Sequence, residues 1–121
     1  MSKKVLIVDD SAAIRQSITF VLEQGGYEVV EACDGMDGLA KLPSPAVQLI
    51  ITDVNMPNLD GIGFIKKVRE NAAYKFVPII VLTTESQNTK MEEGKAAGAT
   101  GWIVKPFSAE KLLSVVKKLA G

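Results

Sequence analysis

Five short apolar runs set the strongest limit on what this chain can fold into. They occupy residues 5–8, 27–32, 47–51, 78–82 and 101–104. Four of them are apolar almost throughout instead of alternating, as in strands covered on both faces. The second run, Tyr27-Glu28-Val29-Val30-Glu31-Ala32, mixes in charge and suits the edge of a sheet. Stretches with helical spacing separate the runs. Ile14, Ile18, Val21 and Leu22 mark a first helix, with Ser11 as its N-cap and Gly25-Gly26 as its stop. Met36, Leu39 and Leu42 mark a second, ended by Pro43. Ile62, Ile65 and Val68 mark a third that begins at Gly61. A fourth, over Asn88–Ala97, has only Met91 and two alanines as apolar residues and is expected to be loosely held. Leu112, Val116 and Leu119 mark a fifth, with Ser108 as N-cap and Glu110 in the first turn. Strand and helix alternating in this way predict an α/β domain built on a parallel sheet.

In such sheets chemistry is placed in the crevice beyond the carboxyl ends of the strands. Asp9 and Asp10 follow the first run, Thr52 and Asp53 the third, Thr83 and Thr84 the fourth, and Lys105 and Pro106 the fifth. With these strands at neighbouring positions, three carboxylates, a hydroxyl and an ammonium converge on one rim. Taken singly, each residue has an ordinary structural use: Asp9-Asp10 as a helix cap, Asp53 with Asn55-Met56-Pro57-Asn58 as a turn, Thr83 as a strand-end residue, Lys105 as a solvated side chain. Complementary types at four strand ends point instead to a shared site. Two like charges about 4 Å apart repel by about 4 kcal/mol at an effective dielectric of ~20, so the acids need a cation. Lys105 supplies one positive charge and a metal can supply the rest. The chain has no histidine and one cysteine, Cys33, so the ligands are oxygen. That donor set favours Mg²⁺, with Mn²⁺ as the lesser option. A carboxylate left facing the metal can act as a nucleophile toward phosphorus.

Composition removes several other functions. The 121 residues suffice for one domain that folds without a disulfide or structural metal. Lys+Arg and Asp+Glu are 14 each, so the basic surplus of a nucleic-acid binder or a polybasic membrane anchor is missing. The basic-then-apolar start is cut short by Asp9-Asp10 after four apolar residues, fewer than the ~7–15 of a signal peptide. A cytoplasmic protein is expected, with Cys33 packed as a small apolar group. The absence of histidine excludes His-based triads and a phosphohistidine carrier role.

The combination Val5-Leu6-Ile7-Val8-Asp9-Asp10-Ser11, Asp53-Val54-Asn55-Met56-Pro57-Asn58-Leu59-Asp60-Gly61, Val81-Leu82-Thr83-Thr84, Ala96-Ala97-Gly98-Ala99 and Val104-Lys105-Pro106-Phe107 resembles the receiver domains of two-component signalling, in particular the chemotaxis response regulators. The resemblance covers essentially the whole chain. It implies a flavodoxin-like (βα)5 fold with strand order 2-1-3-4-5 and helices on both faces. It implies Asp53 as phosphoacceptor, Asp10 directly on Mg²⁺, Asp9 on it through water, and the Asn55 carbonyl as a further ligand. Lys105 pairs with the phosphoryl group, and Thr83 moves onto it. Trp102 then fills the vacated space and reshapes the face of the fourth helix, fifth strand and fifth helix. The chemotaxis regulators usually have Tyr at that position; a half-buried strand aromatic is the plainer reading of Trp102. Asn55 and Glu85 take the positions that tune water access to the acyl phosphate. A cis Lys105–Pro106 peptide is implied as well.

The same resemblance implies a histidine kinase as phosphodonor and a protein as output partner, either a flagellar motor switch component or a phosphotransfer protein. The chain is read as one receiver over residues 1–121 with no output domain, a monomer, binding no nucleic acid or membrane, and not a turnover enzyme. A phosphorelay intermediate is the alternative within the class. Outside it stand a Mg²⁺-dependent phosphatase of the haloacid dehalogenase type and a flavodoxin-like flavin binder. The first wants an acid where Asn55 stands, together with a cap domain. The second would set a flavin phosphate against Asp9-Asp10.

Overall fold

A computed structural model describes residues 3–42, 47–54, 59–83, 88–105 and 107–120, with residues 83 and 88–91 described as backbone alone. The chain alternates β1 (Lys4–Val8), α1 (Ala12–Gln24), β2 (Glu28–Ala32), α2 (Gly35–Lys41), β3 (Leu49–Asp53), α3 (Gly61–Glu70), a 3₁₀ turn (Ala72–Tyr74), β4 (Ile79–Thr83), α4 (Asn88–Ala97), β5 (Gly101–Val104) and α5 (Ala109–Ala120). The five strands form one parallel sheet of order β2-β1-β3-β4-β5, the flavodoxin-like arrangement that the resemblance implied.

Strand alternation divides the core in two. Leu6, Val8, Ile50, Ile79 and Val81 point to one face, where Phe64, Ile65 and Val68 of α3 and Leu42 beyond α2 cover them. Val5, Ile7, Leu49, Ile51, Ile80, Leu82 and Ile103 point to the other, against Ile18 and Leu22 of α1 and Leu112 and Val116 of α5. Because both faces are covered, the central strands carry no polar alternation. β2 lies at an edge and is mostly half-buried, in keeping with its glutamates.

The caps place the helices. The Ile14 N–H donates to Ser11 Oγ at 3.3 Å, and the Lys111 N–H donates to Ser108 Oγ at 3.1 Å, so both serines cap as expected. Asp60, one residue before the expected start at Gly61, caps α3 by accepting from the Gly63 N–H at 2.8 Å. Two strands run further than their apolar stretches: β3 ends at Asp53 and β4 at Thr83, because polar residues at the rim still pair in the ladder.

Two expectations are corrected. α2 does not bury Met36, which is exposed; Gly35 and Gly38 are its buried residues, the latter set against Phe64 and Val8, while Leu39 and the following Leu42 pack on the core as expected. Cys33 is exposed in the connection from β2 to α2, so it is not a packed apolar group. α4 packs on α3, and Gly94 is the only buried residue among those of α4 whose burial is described. Among the described residues, no helix is long and apolar enough to cross a membrane.

Candidate functional site

Parallel register brings the carboxyl ends of four strands to one rim. Val8 pairs with Thr52, Asp53 with Leu82, and Thr83 with Val104. Asp9 and Asp10 leave the end of β1, Asp53 is the last residue of β3, and Lys105 follows β5. One carboxylate oxygen from each of Asp9, Asp10 and Asp53 lies within 4.8 Å of the others. Asp9 is 1% exposed and Asp53 8%, whereas Asp10 is exposed. The cluster is therefore a buried floor with one acid at its mouth.

Backbone groups and one lysine aim these acids. Asp9 Oδ1 accepts from the Ser11 N–H at 2.9 Å, and the Asp9 N–H extends the ladder to the Ala32 carbonyl at 3.1 Å. Asp53 Oδ1 accepts from the Val54 N–H at 2.8 Å. Lys105 Nζ donates to Asp9 Oδ2 at 3.3 Å and lies 3.5 Å from Asp53 Oδ1. Burial raises the pKa of the Asp53 carboxyl above its usual value, opposed by Lys105 and by the Val54 N–H and reinforced by the Asp9 charge. Among the described residues Lys105 pairs with two of the three carboxylates, Asp9 and Asp53, so the cluster carries more negative than positive charge. Three hard oxygen donors, each offering one atom toward a common centre, fit a small divalent cation that keeps some of its water.

Two further residues hold the site, and sequence reasoning gave them no such part. Gly61 donates its N–H to the Val54 carbonyl at 2.8 Å, and a Cβ built on it would lie 2.2 Å from the Asp53 carbonyl oxygen. The glycine lets α3 start directly under the phosphoacceptor candidate; its place at a helix start and at the end of the segment 53–61 was the signal for it. Arg15, on α1, donates from Nη1 to the Asp9 carbonyl and from Nε to Glu31 Oε1 at 3.2 Å. A lone arginine on an amphipathic helix carries no sequence signal for this contact.

Of the expected site residues, Asp9, Asp10, Asp53 and Lys105 are brought together. Thr83 closes β4 opposite Val104 on the same rim, with its backbone alone described. Asn55, Glu85 and Pro106, and with Pro106 the expected cis peptide, lie outside the described residues. Trp102 sits in edge strand β5 and is exposed, at 40%, so it is less buried than the half-buried strand aromatic expected.

The family model for the response regulator receiver domain matches residues 5–117. The chain belongs to the response regulator receiver domain family. This receiver domain is 38% identical over 120 residues to the chemotaxis protein CheY1 of Helicobacter pylori, covering 98% of this chain and 97% of that protein. It is 50% identical to the structure of the chemotaxis protein CheY4 of Vibrio cholerae, with a TM-score of 0.95 over 98% of this chain and 99% of the other. The receiver domain of the sensor histidine kinase PA1611 of Pseudomonas aeruginosa, whose structure has a magnesium ion coordinated in the active site cleft, is 26% identical, with a TM-score of 0.92 over 100% and 99% of the two chains. The acid cluster of the present receiver domain is suited to divalent-cation coordination and to phosphoryl transfer, as in chemotaxis-type signalling.

Proposed function

We propose that this receiver domain is a phosphorylation-activated signalling module that takes a phosphoryl group onto Asp53 and passes the change to a protein partner. The observation that carries the reading is the meeting of Asp53 with Lys105 at 3.5 Å inside a cluster shared with Asp9 and Asp10. Asp9, Asp10 and Asp53 would hold Mg²⁺, together with the Asn55 carbonyl; Mn²⁺ suits the same oxygens. The magnesium in the cleft of the PA1611 receiver domain supports that choice. When bound, the cation neutralises the acids and draws negative charge from phosphoryl oxygens.

Membership of the receiver family points to the phosphohistidine of a histidine kinase as donor, and with no histidine in this chain that group belongs to another protein. An Asp53 carboxylate oxygen attacks phosphorus in line, a P–O bond forms, and the P–N bond breaks. The electron pair of the broken bond stays on the imidazole nitrogen, which takes a proton. Lys105 stands where it can neutralise the charge of the transferred group. The acyl phosphate adds strong acceptor oxygens where a lone carboxylate stood, and the Thr83 hydroxyl is drawn to them. Trp102 then repacks, and the face of α4, β5 and α5 presents a new surface. Hydrolysis resets the domain, with Asn55 and Glu85 tuning water access.

We read residues 1–121 as a single receiver that acts as a cytoplasmic monomer, without turnover of a free substrate. The output partner is a protein, with a flagellar motor switch component favoured by the likeness to CheY1 and CheY4. The test uses Mg²⁺ with a small phosphodonor, following intact mass and Trp102 emission. The reading requires a mass gain of one phosphoryl group, an emission change that needs Mg²⁺, and loss of both in Asp53→Asn. No phosphoryl group on the wild-type chain would overturn it.

A further inference from the structure

The backbone at Asp9 is held through both of its peptide groups, the one before it and the one that joins it to Asp10. The Asp9 N–H belongs to the β1–β2 ladder, through the Ala32 carbonyl at 3.1 Å. The Asp9 carbonyl accepts from Arg15 Nη1, and the same guanidinium is anchored on β2 by Glu31 Oε1, 3.2 Å from Nε. A carbonyl and the following N–H share one plane, so holding the Asp9 carbonyl also fixes the orientation in which the chain enters Asp10. Asp10 is exposed, and its aim depends on that backbone more than on packing.

Charge adds a second reason for the pair. An uncompensated guanidinium beside the acid cluster would oppose a divalent cation. Glu31 cancels that charge while leaving the donor geometry in place. Arg15 is 18% exposed and Glu31 36%, so part of this compensation stays accessible to salt.

We propose that Arg15, held and neutralised by Glu31, is a positioning residue that sets the Asp9–Asp10 peptide in the orientation required for cation binding. The inference rests on the reading of Asp9, Asp10 and Asp53 as the Mg²⁺ ligands. Groups that orient metal ligands typically change affinity by about 10–100-fold when removed.

Calorimetric titration of the full chain with Mg²⁺, and separately with Mn²⁺, tests it without any phosphodonor. Arg15→Gln should weaken binding about tenfold or more at both low and high salt, because the lost element is geometry. Arg15→Lys should fall between, because one ammonium replaces a fork that grips two partners. Glu31→Gln keeps an acceptor for Nε and removes only the charge. Its loss of affinity should therefore be largest at low salt and fade as salt rises. Thermal melts in chelator identify any variant that does not fold; if Arg15→Gln is one, Arg15→Lys and Glu31→Gln decide the matter. Wild-type Mg²⁺ affinity in the folded arginine variants would overturn the proposal, even with a lowered melting temperature. A wild-type chain that binds neither cation would instead overturn the metal-site reading beneath it.

Discussion

Gly61 abuts the main chain of Asp53 so closely that a methyl group at residue 61 would meet the Asp53 carbonyl oxygen at 2.2 Å and the Val54 Cα at 2.9 Å. Both obstacles are backbone, so a side chain there can enter only by parting β3 from α3. Gly61→Ala is expected to cost about 1–3 kcal/mol of stability, in the range of overpacked sites, and to slow phosphorylation of Asp53. Gly63→Ala is the matching control. Its nearest obstacle is Leu59 Cδ1 at 2.7 Å, the end of a flexible side chain. The gain in helix propensity of about 1 kcal/mol offsets that contact, so Gly63→Ala should be near neutral. Urea unfolding of the two variants checks the contrast; equal losses would refute it.

Asp53 makes the metal-free fold less stable at neutral pH than it would be with an uncharged side chain. Its folded pKa is raised above the unfolded value, with burial the leading cause. Between the two pKa values the folded chain holds more protons than the unfolded one, so stability falls as pH rises through that window. Asp53→Asn should therefore match the wild type below the unfolded pKa of about 3.9, exceed it increasingly up to the raised folded pKa, and exceed it by a constant margin above that. Unfolding free energies from pH 3 to 8 in chelator would show this divergence. A constant offset across that range would contradict it.

The sheet and the acid cluster could be read from the chain because one rule covers both. Continuous apolar runs announced β1 and β3, and the polar residues that ended them fell on one rim once the strands were parallel. Strand ends were misjudged at Asp53 and Thr83 because apolarity stops before hydrogen bonding does. The inward face of α2 was legible only in part: Leu39 and Leu42 pack on the core, whereas Gly35 and Gly38 are buried without a hydrophobic side chain to announce them and the apolar Met36 is exposed. Arg15 was invisible for another reason. Its anchor Glu31 is sixteen residues away, on a different element, and a helical arginine by itself reads as solvated.

Asp10 separates fold from function. It stands exposed at the mouth of the cluster, whereas Asp9 and Asp53 form its buried floor. Asp10→Asn should leave the melting temperature in chelator nearly unchanged, as for most surface substitutions, which stay within about 0.5 kcal/mol. The wild type should gain about 2.7 kcal/mol at Mg²⁺ a hundredfold above its dissociation constant. The variant should lose most of that gain at the same concentration. Paired melts with chelator and with Mg²⁺ measure both numbers. An equal Mg²⁺ gain in the variant would remove Asp10 from the ligand set.

Arg69 ties the end of α4 to the body of the domain. Its Nε and Nη2 donate to the Gly98 carbonyl at 3.1 and 2.7 Å, and Nη1 donates to the carbonyls of Tyr74, Lys75 and Val77 at 3.1, 3.2 and 2.6 Å. Gly98 has φ +117°, and a Cβ there would lie 2.9 Å from Arg69 Nε, so glycine is required both by its backbone and by the guanidinium against it. α4 packs on α3 and is thus held at its C-terminal end by a residue of α3 itself. Hydrogen bonds to charged groups are worth about 1.5–3 kcal/mol each, but several here share one side chain and reach partly solvated carbonyls. Arg69→Ala is therefore expected to cost about 2–4 kcal/mol in all. Arg69→Lys should recover little, because one ammonium cannot span four carbonyls. Hydrogen exchange should quicken at the Gly98 and Ala99 amides, which donate to the Gly94 carbonyl, while the β1 and β3 amides keep their rank as the slowest. Uniform acceleration across the sheet would show that the clamp serves the whole fold and not the α4 terminus.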